Sequence, residues 1–257
     1  MIGSSLSEPN AINMSDCIII IPAHNEEEHI GRIVSRLCEL TKNRHTVLVV
    51  DDGSFDKTSE KAKQAGALTV RLDNNMGYGY ALQAGYAFAA ENNFTYLAQM
   101  DGDGQHDEAY VEKLFETLRD KNVDFVIGSR FKGRKLGGTY RAGPLRRTGM
   151  LFFATLVSFI TRQRITDPTS GFRAFKRCML PVLMHKRYPR DFPDADAIVM
   201  LHRNGAIMTE VIVPMYAKRD RKSMHRGWGP FIYAFKMTFS TFQAALQPRI
   251  KEIALSK

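Results

Sequence analysis

Short apolar runs rich in β-branched residues recur along the chain at 17–22 (CIIIIP), 46–51 (TVLVVD), 67–72 (ALTVRL), 95–100 (TYLAQM) and 123–127 (VDFVI). Runs of this length, bounded by turn residues, predict buried strands. Between them apolar residues return at three- and four-residue spacing over about 26–40, 56–65, 79–91 and 108–119, which predicts amphipathic helices. Strand and helix alternating through short connections predict an α/β fold with a mostly parallel central sheet and helices on both faces. Ligands bind such sheets at the carboxyl ends of the strands. The polar residues gather there: "PAHNE" after the first strand, "DDGS" after the second, "DGDGQ" after the fourth and "GSR" after the fifth.

Beyond residue 128 the alternation breaks. A Gly- and Arg-rich stretch, "GSRFKGRKLGGTYRAGPLRR", leads into "MLFFATLVSFI", and "TDPTSGFRAF" then reads as a turn and a short strand. A helix near 194–203, a strand within "IMTEVIVPMY", the basic run "KRDRKSMHR" and a final helix at 230–246 complete the pattern. With no internal repeat and no linker, the expected organisation is a flexible segment at 1–16, one domain at 17–229, and a C-terminal helix and tail at 230–257.

Composition narrows the setting. A chain of 257 residues that is 44% hydrophobic and 25% charged suits one large globular domain. Cys17, Cys38 and Cys178 lack CxxC or zinc spacing, and three separated thiols suit a reducing compartment with structural roles. The first sixteen residues show neither the basic nor the apolar region of a leader, so a cytoplasmic protein is expected. The net charge of +9 favours an anionic partner without choosing among nucleotide phosphates, nucleic acid and anionic lipid.

"DGDGQ" places Asp101, Asp103 and Gln105 on alternate residues among glycines that let a ligand approach closely. Oxygen donors without Cys or His suit Mg²⁺ or Mn²⁺ shared with substrate phosphates, although an aspartate capping the next helix would explain the motif too. In "DDGS", Asp52 suits the imide of a nucleobase, while the stretch serves equally as a turn with Ser54 capping a helix. In "HNEE", Asn25 and the glutamates 26–28 suit a helix start whether or not Glu26 also binds a ligand.

In order, "IIIIPAHNEE", "VLVVDDGSFDKT", "NNMGYGYALQAGYAFA", "YLAQMDGDGQH", "VIGSRF" and "DPTSGFRAF" resemble the family 2 glycosyltransferases of the GT-A nucleotide-diphospho-sugar transferase fold. The resemblance covers about residues 17–225 and is closest to dolichol-phosphate and polyprenyl-phosphate sugar synthases. It implies an inverting, metal-dependent transfer from a UDP- or GDP-sugar. Pro22, His24 and Glu26 would surround the nucleoside, with His24 where the family often has Tyr, and Asp52 and Ser54 would lie at the base. Asp101, Asp103 and Gln105 would hold Mg²⁺ or Mn²⁺ on the diphosphate. Gly77, Tyr78, Gly79 and Arg130 would border the sugar and the reacting phosphate. In the basic run, "RDRKS" keeps Arg219, Lys222 and Ser223 of a pattern like R..GKS, with Arg221 in place of its glycine.

The resemblance further implies a polyprenyl-phosphate acceptor at the inner face of the membrane, with a sugar hydroxyl of a glycan or glycolipid as the alternative. The apolar stretch Met150 to Ile160, flanked by Arg146, Arg147, Arg162 and Arg164, is too short to span a bilayer and fits either peripheral contact with an anionic membrane or a buried helix. A hydroxyl acceptor needs a base, for which Asp194 and Asp196 are the candidates, whereas a phosphate is already an anion. The expectation is that no protein base is needed and that Arg130, Arg173 or Lys222 orients an acceptor phosphate. A dinucleotide-binding dehydrogenase is excluded by "PAHNEE" in place of G-x-G-x-x-G. A sugar nucleotidyltransferase lacks its Gly- and Arg-rich signature here, and no specific nucleic acid is expected because the basic residues flank a carboxylate-lined crevice.

Overall fold

The structure is a computed structural model that describes residues 16–131, 143–189, 193–216 and 229–250. In chain order the elements are β1 (Cys17–Ala23), α1 (Ile30–Thr41), β2 (Thr46–Asp51), α2 (Thr58–Gln64), β3 (Leu68–Arg71), α3 (Tyr78–Glu91), β4 (Tyr96–Gln99), α4 (Val111–Asp120), β5 (Phe125–Ser129), α5 (Pro144–Thr161), β6 (Arg173–Lys176), α6 (Leu180–Leu183), α7 (Ala195–Arg203), β7 (Met208–Ile212) and α8 (Gly229–Leu246). The strands form a seven-stranded sheet in the order β3-β2-β1-β4-β6-β5-β7, in which only β6 runs against the others among the described residues. The expected α/β architecture is therefore the observed one.

The period of two along β1 divides the core. Ile18 and Ile20 face one side with α3, α5, α6, α7 and α8, whereas Ile19 and Ile21 face the other with α1, α2 and α4. Because both faces are covered, β1 is apolar at every position rather than at alternate ones. Gly85 sets the approach of α3 to the sheet: a Cβ added there would lie 2.5 Å from Ile20 Cγ2. Strand order reverses at β1, with β2 on one side and β4 on the other, so a crevice opens beyond the carboxyl ends of these three strands.

Differences from the sequence pattern are local. The helix expected from residue 26 begins at Ile30, because 24–29 form a turn in which Asn25 adopts a left-handed φ of 55°. The helix expected at 108 opens with a 3-10 turn, Glu108–Tyr110, before α4. The short α6 has too few residues to show a helical period and was not predicted. The basic run from 217 to 225, with Arg219, Lys222 and Ser223, lies outside the described residues, as does the N-terminal segment expected to be flexible.

Candidate functional site

The loops after β1 and β2 are laced together at the crevice. Asn25 donates its backbone N–H to the Ser54 hydroxyl (2.9 Å) and accepts from the Phe55 N–H (2.9 Å), while the Glu26 N–H donates to Thr58 Oγ1 (2.9 Å). His24 Nδ1 lies 2.8 Å from the Asp52 carbonyl oxygen, and its ring meets the exposed Phe55 edge-on at 6.3 Å. Pro22 sits in β1 with its carbonyl against Gly102, bringing the first strand to the acidic turn.

The two aspartates of "DDGS" divide the work of shaping this end. Asp51, fully buried, accepts from the Ser54 N–H, the Ser59 hydroxyl and Arg71. Asp52 accepts from the backbone N–H groups of Met76 (2.7 Å) and Gly77 (2.9 Å) and so holds the approach to α3. Each Asp52 oxygen already has a donor and the residue is 4% exposed, so in this conformation its carboxylate faces loop 76–77. Ser54 is likewise buried and does not cap α2: the Thr58 N–H donates to Asp56 instead. Gly53 has φ 65° and is pressed by the next loop, its hypothetical Cβ falling 2.5 Å from the Asn74 carbonyl carbon.

Asp101 lies on the turn after β4. Tyr78, at the start of α3, donates its hydroxyl to Oδ1 (2.7 Å), and His106 Nε2 lies 3.1 Å from Oδ2. A Cβ on residue 171 would meet these oxygens at 2.6 and 2.7 Å, so Gly171 is the floor on which the carboxylate rests. Burial alone would raise the Asp101 pKa. The hydrogen bond and charge of His106, the Tyr78 hydroxyl and nearby Arg173 outweigh burial and hold it below the ordinary carboxylate value. Burial, then the Asp101 charge, raise the Tyr78 hydroxyl well above the usual tyrosine value and keep it a donor.

Asp103 accepts from the Gln105 N–H (3.1 Å) across Gly104, whose φ is 72°. The Gln105 side-chain N–H₂ donates to the Tyr216 carbonyl (3.3 Å), and the Tyr216 N–H returns to the Gln105 carbonyl (2.8 Å). The capping role that would have explained the motif blandly belongs to Asp107, whose Oδ1 accepts from the Ala109 N–H (3.1 Å).

Among the described residues no cluster of three or more His, Cys, Asp and Glu side chains is placed to hold a metal. The donors present, two half-buried carboxylates and one amide oxygen on a single turn, are hard oxygens too few for a closed protein cage. That set suits Mg²⁺ or Mn²⁺ completed by substrate oxygens. Asp101, Asp103 and Gln105 fit such an ion by their chemistry.

The arginines expected to orient an acceptor phosphate are tied to neighbouring segments of the protein. Arg173 is 2% exposed, and its guanidinium donates to the carbonyls of Ser170 (2.8 Å), Pro193 (2.7 Å), Pro168 (3.1 Å) and Asp194 (3.4 Å), with the Asp194 carboxylate at 3.6 Å. It ties turn 168–170 to the start of α7 and has no face for an acceptor phosphate. Arg130 is held by Asp167 through Nε (2.6 Å) and Nη2 (2.5 Å), and Nη2 also donates to Thr169 (2.9 Å). Both members of that pair are buried, which makes Arg130 first of all a brace between β5 and the turn before β6. Glu210 supports the brace from β7 by accepting from the N–H groups of Thr166 (2.7 Å) and Asp167 (3.0 Å).

Asp196 is 2% exposed; it accepts from Ser240 on α8 and from the Ala197 N–H (2.8 Å), and burial raises its pKa to about 6. Asp194 pairs with Arg173. Asp196 is thus enclosed, whereas Asp194 keeps 18% of its side chain exposed beside Arg173. Sequence reasoning overlooked His106, although it directly follows "DGDGQ", and it overlooked Gly171 in "TSGF" and the Asp167 and Glu210 supports. Nothing in the sequence signals the last two, because an ion pair or hydrogen bonds between groups 37 to 44 residues apart leave no local period.

Residues 18–183 match the sequence family described as glycosyl transferase family 2. The chain is 31% identical over 235 residues to an uncharacterized protein of Methanocaldococcus jannaschii, covering 91% of this chain and 93% of that one. It is 29% identical to the UDP-N-acetylglucosamine–dolichyl-phosphate N-acetylglucosaminyltransferase of Methanococcus voltae, covering 88% and 95%. Among solved structures, glucosyl-3-phosphoglycerate synthase from Mycobacterium tuberculosis, in complex with Mn²⁺, UDP and glucosyl-3-phosphoglycerate, superposes with a TM-score of 0.66 at 18% identity, over 93% of this chain and 82% of that one.

Proposed function

The chain belongs to glycosyl transferase family 2 and is a glycosyltransferase, and from that premise we propose that it moves a sugar, with inversion, from a UDP- or GDP-sugar to a polyprenyl phosphate. The observation that carries the acceptor reading is the state of the two acids that could have served as base. Asp196 is enclosed by Ser240 and the start of α7, and Asp194 pairs with Arg173. A hydroxyl acceptor must lose a proton, whereas a phosphate oxygen is already a nucleophile near neutral pH. The Methanococcus voltae relative, named for a dolichyl-phosphate acceptor, supports the same reading.

On this reading the laced loops after β1 and β2 receive the nucleoside, with His24 and Glu26 at the rim and Asp52 and Ser54 fixing the loop shapes beneath it. The turn after β4 receives the diphosphate, where Asp101, Asp103 and Gln105 would hold a divalent cation. Bound there, the cation neutralises the charge that develops on the leaving nucleoside diphosphate. Tyr78, His106 and Gly171 keep the Asp101 carboxylate ionised and in one orientation, so it need not reorganise as the sugar–phosphate bond breaks. The location proposed is the cytoplasmic face of the membrane, where nucleotide sugars and lipid phosphates meet.

The test is an assay of UDP- and GDP-sugars with a short, water-soluble prenyl phosphate in Mn²⁺, with the anomeric configuration of the product read by NMR. Transfer with inversion that stops in excess EDTA is expected. Full turnover in EDTA, or transfer only to sugar hydroxyls, would overturn the proposal.

A further inference from the structure

Seven of the fourteen large apolar side chains exposed among the described residues lie on two helices. They are Leu151, Phe152 and Phe159 on α5, and Phe235, Phe239, Phe242 and Leu246 on α8. On α8 they follow one another at intervals of four, three and four residues, which puts them on a single face. The opposite sides of both helices are buried, through Phe153, Val157 and Thr161 on α5 and Met237 and Thr241 on α8. The two helices touch each other, and both rest on α7, whose residues 195–201 are buried. Both apolar stripes therefore turn away from the core, on helices that touch. Phe159 at 82% and Leu246 at 83% exposure are too open to be incidental edges of the core.

Charge selects the occupant. Residues 143–166 and 229–250 contain no Asp or Glu, although the whole chain has 27, and they carry Arg146, Arg147, Arg162, Arg164, Lys236 and Arg249. A second copy docked by two-fold symmetry would set two segments that carry cations and contain no acid against each other. An anionic surface with an apolar interior satisfies both the arginines and the phenylalanines. Among the described residues no helix is long and apolar enough to cross a membrane, which suits a helix pair lying in the interface.

We propose that α5 and α8 together form a platform that seats the protein on an anionic lipid surface, the aromatic stripes in the headgroup–acyl boundary and the basic residues on lipid phosphates. The proposal deepens the polyprenyl-phosphate reading and rests on it for its purpose, since a lipid-borne acceptor must be met at a bilayer.

Sedimentation of the full chain with vesicles tests it. Pelleting is expected with phosphatidylglycerol mixed into phosphatidylcholine, falling as salt is raised and absent with phosphatidylcholine alone. The double variant Phe159→Glu/Phe239→Glu should weaken pelleting by about tenfold or more while its melting temperature and its turnover on the soluble prenyl phosphate stay unchanged. Equal pelleting on both lipids, pelleting indifferent to the variant, or a dimer in solution that the variant dissociates would each overturn the platform. Transfer to the soluble acceptor separates the two claims: transfer without vesicle binding refutes the platform alone, and vesicle binding without transfer refutes the acceptor alone.

Discussion

At the scale of single residues, carboxylates that look alike in the sequence have different partners. Asp51, Asp52, Asp103 and Asp107 all accept from backbone N–H groups, but Asp51 and Asp52 are buried in doing so whereas Asp103 stays half-buried on the crevice turn. Asp103→Asn is expected to lower turnover at least about 100-fold with a stability change within about 0.5 kcal/mol, as activity assays and urea melts on one preparation would show. Arg130 stands at the other extreme. Arg130→Ala leaves Asp167 buried and unpaired, so a loss of about 3 kcal/mol in a urea melt is expected. An Arg130→Ala protein of unchanged stability with only a raised acceptor KM would instead place the guanidinium on the acceptor. "DGDGQ" showed which acids to examine, but the sequence could not show that Arg130 meets Asp167, thirty-seven residues away.

At the scale of elements, strands were legible because burial on both faces leaves continuous apolar runs, and helices because one face is apolar at a period near 3.6. Ends were less legible. α1 starts four residues later than its pattern because Asn25 is held left-handed by contacts with the next loop, which no local period reports. The α3–β1 contact shows packing deciding between two good helix positions: alanine favours a helix more than glycine does, yet at 85 its methyl would collide with Ile20. Gly85→Ala should therefore destabilise the protein by about 1–3 kcal/mol in denaturant melts, rather than stabilise it by propensity.

At the scale of the whole molecule, Asp196 joins α7 to α8 and couples stability to pH. Its folded pKa, about 6, lies above the ordinary value of 3.8, chiefly through burial. Between those values the folded protein holds a proton that the unfolded chain has released, so this group's contribution to stability falls as pH rises from about 4 to about 6 and is level above. Asp196→Asn removes that slope. The variant should melt at or above the wild type at pH 7, with the advantage gone at pH 4. Equal destabilisation at both pH values would show that the Ser240 and Ala197 contacts need a carboxylate.

The alternating fold, the crevice end of the sheet, the acidic turn and the family were legible in the residues alone, because each of these is written in runs of neighbouring residues. The sequence marked the arginines at 130 and 173 and the acids at 194 and 196 as chemistry, whereas their partners (Asp167 for Arg130, Asp194 for Arg173, Ser240 for Asp196) came to light only in the packed molecule. It likewise showed α8 as a final helix, and only its packing beside α5 brought two exposed aromatic stripes from distant parts of the chain onto touching helices. Partners distant in the chain are chosen by how elements pack, and packing leaves no periodic trace in the elements themselves.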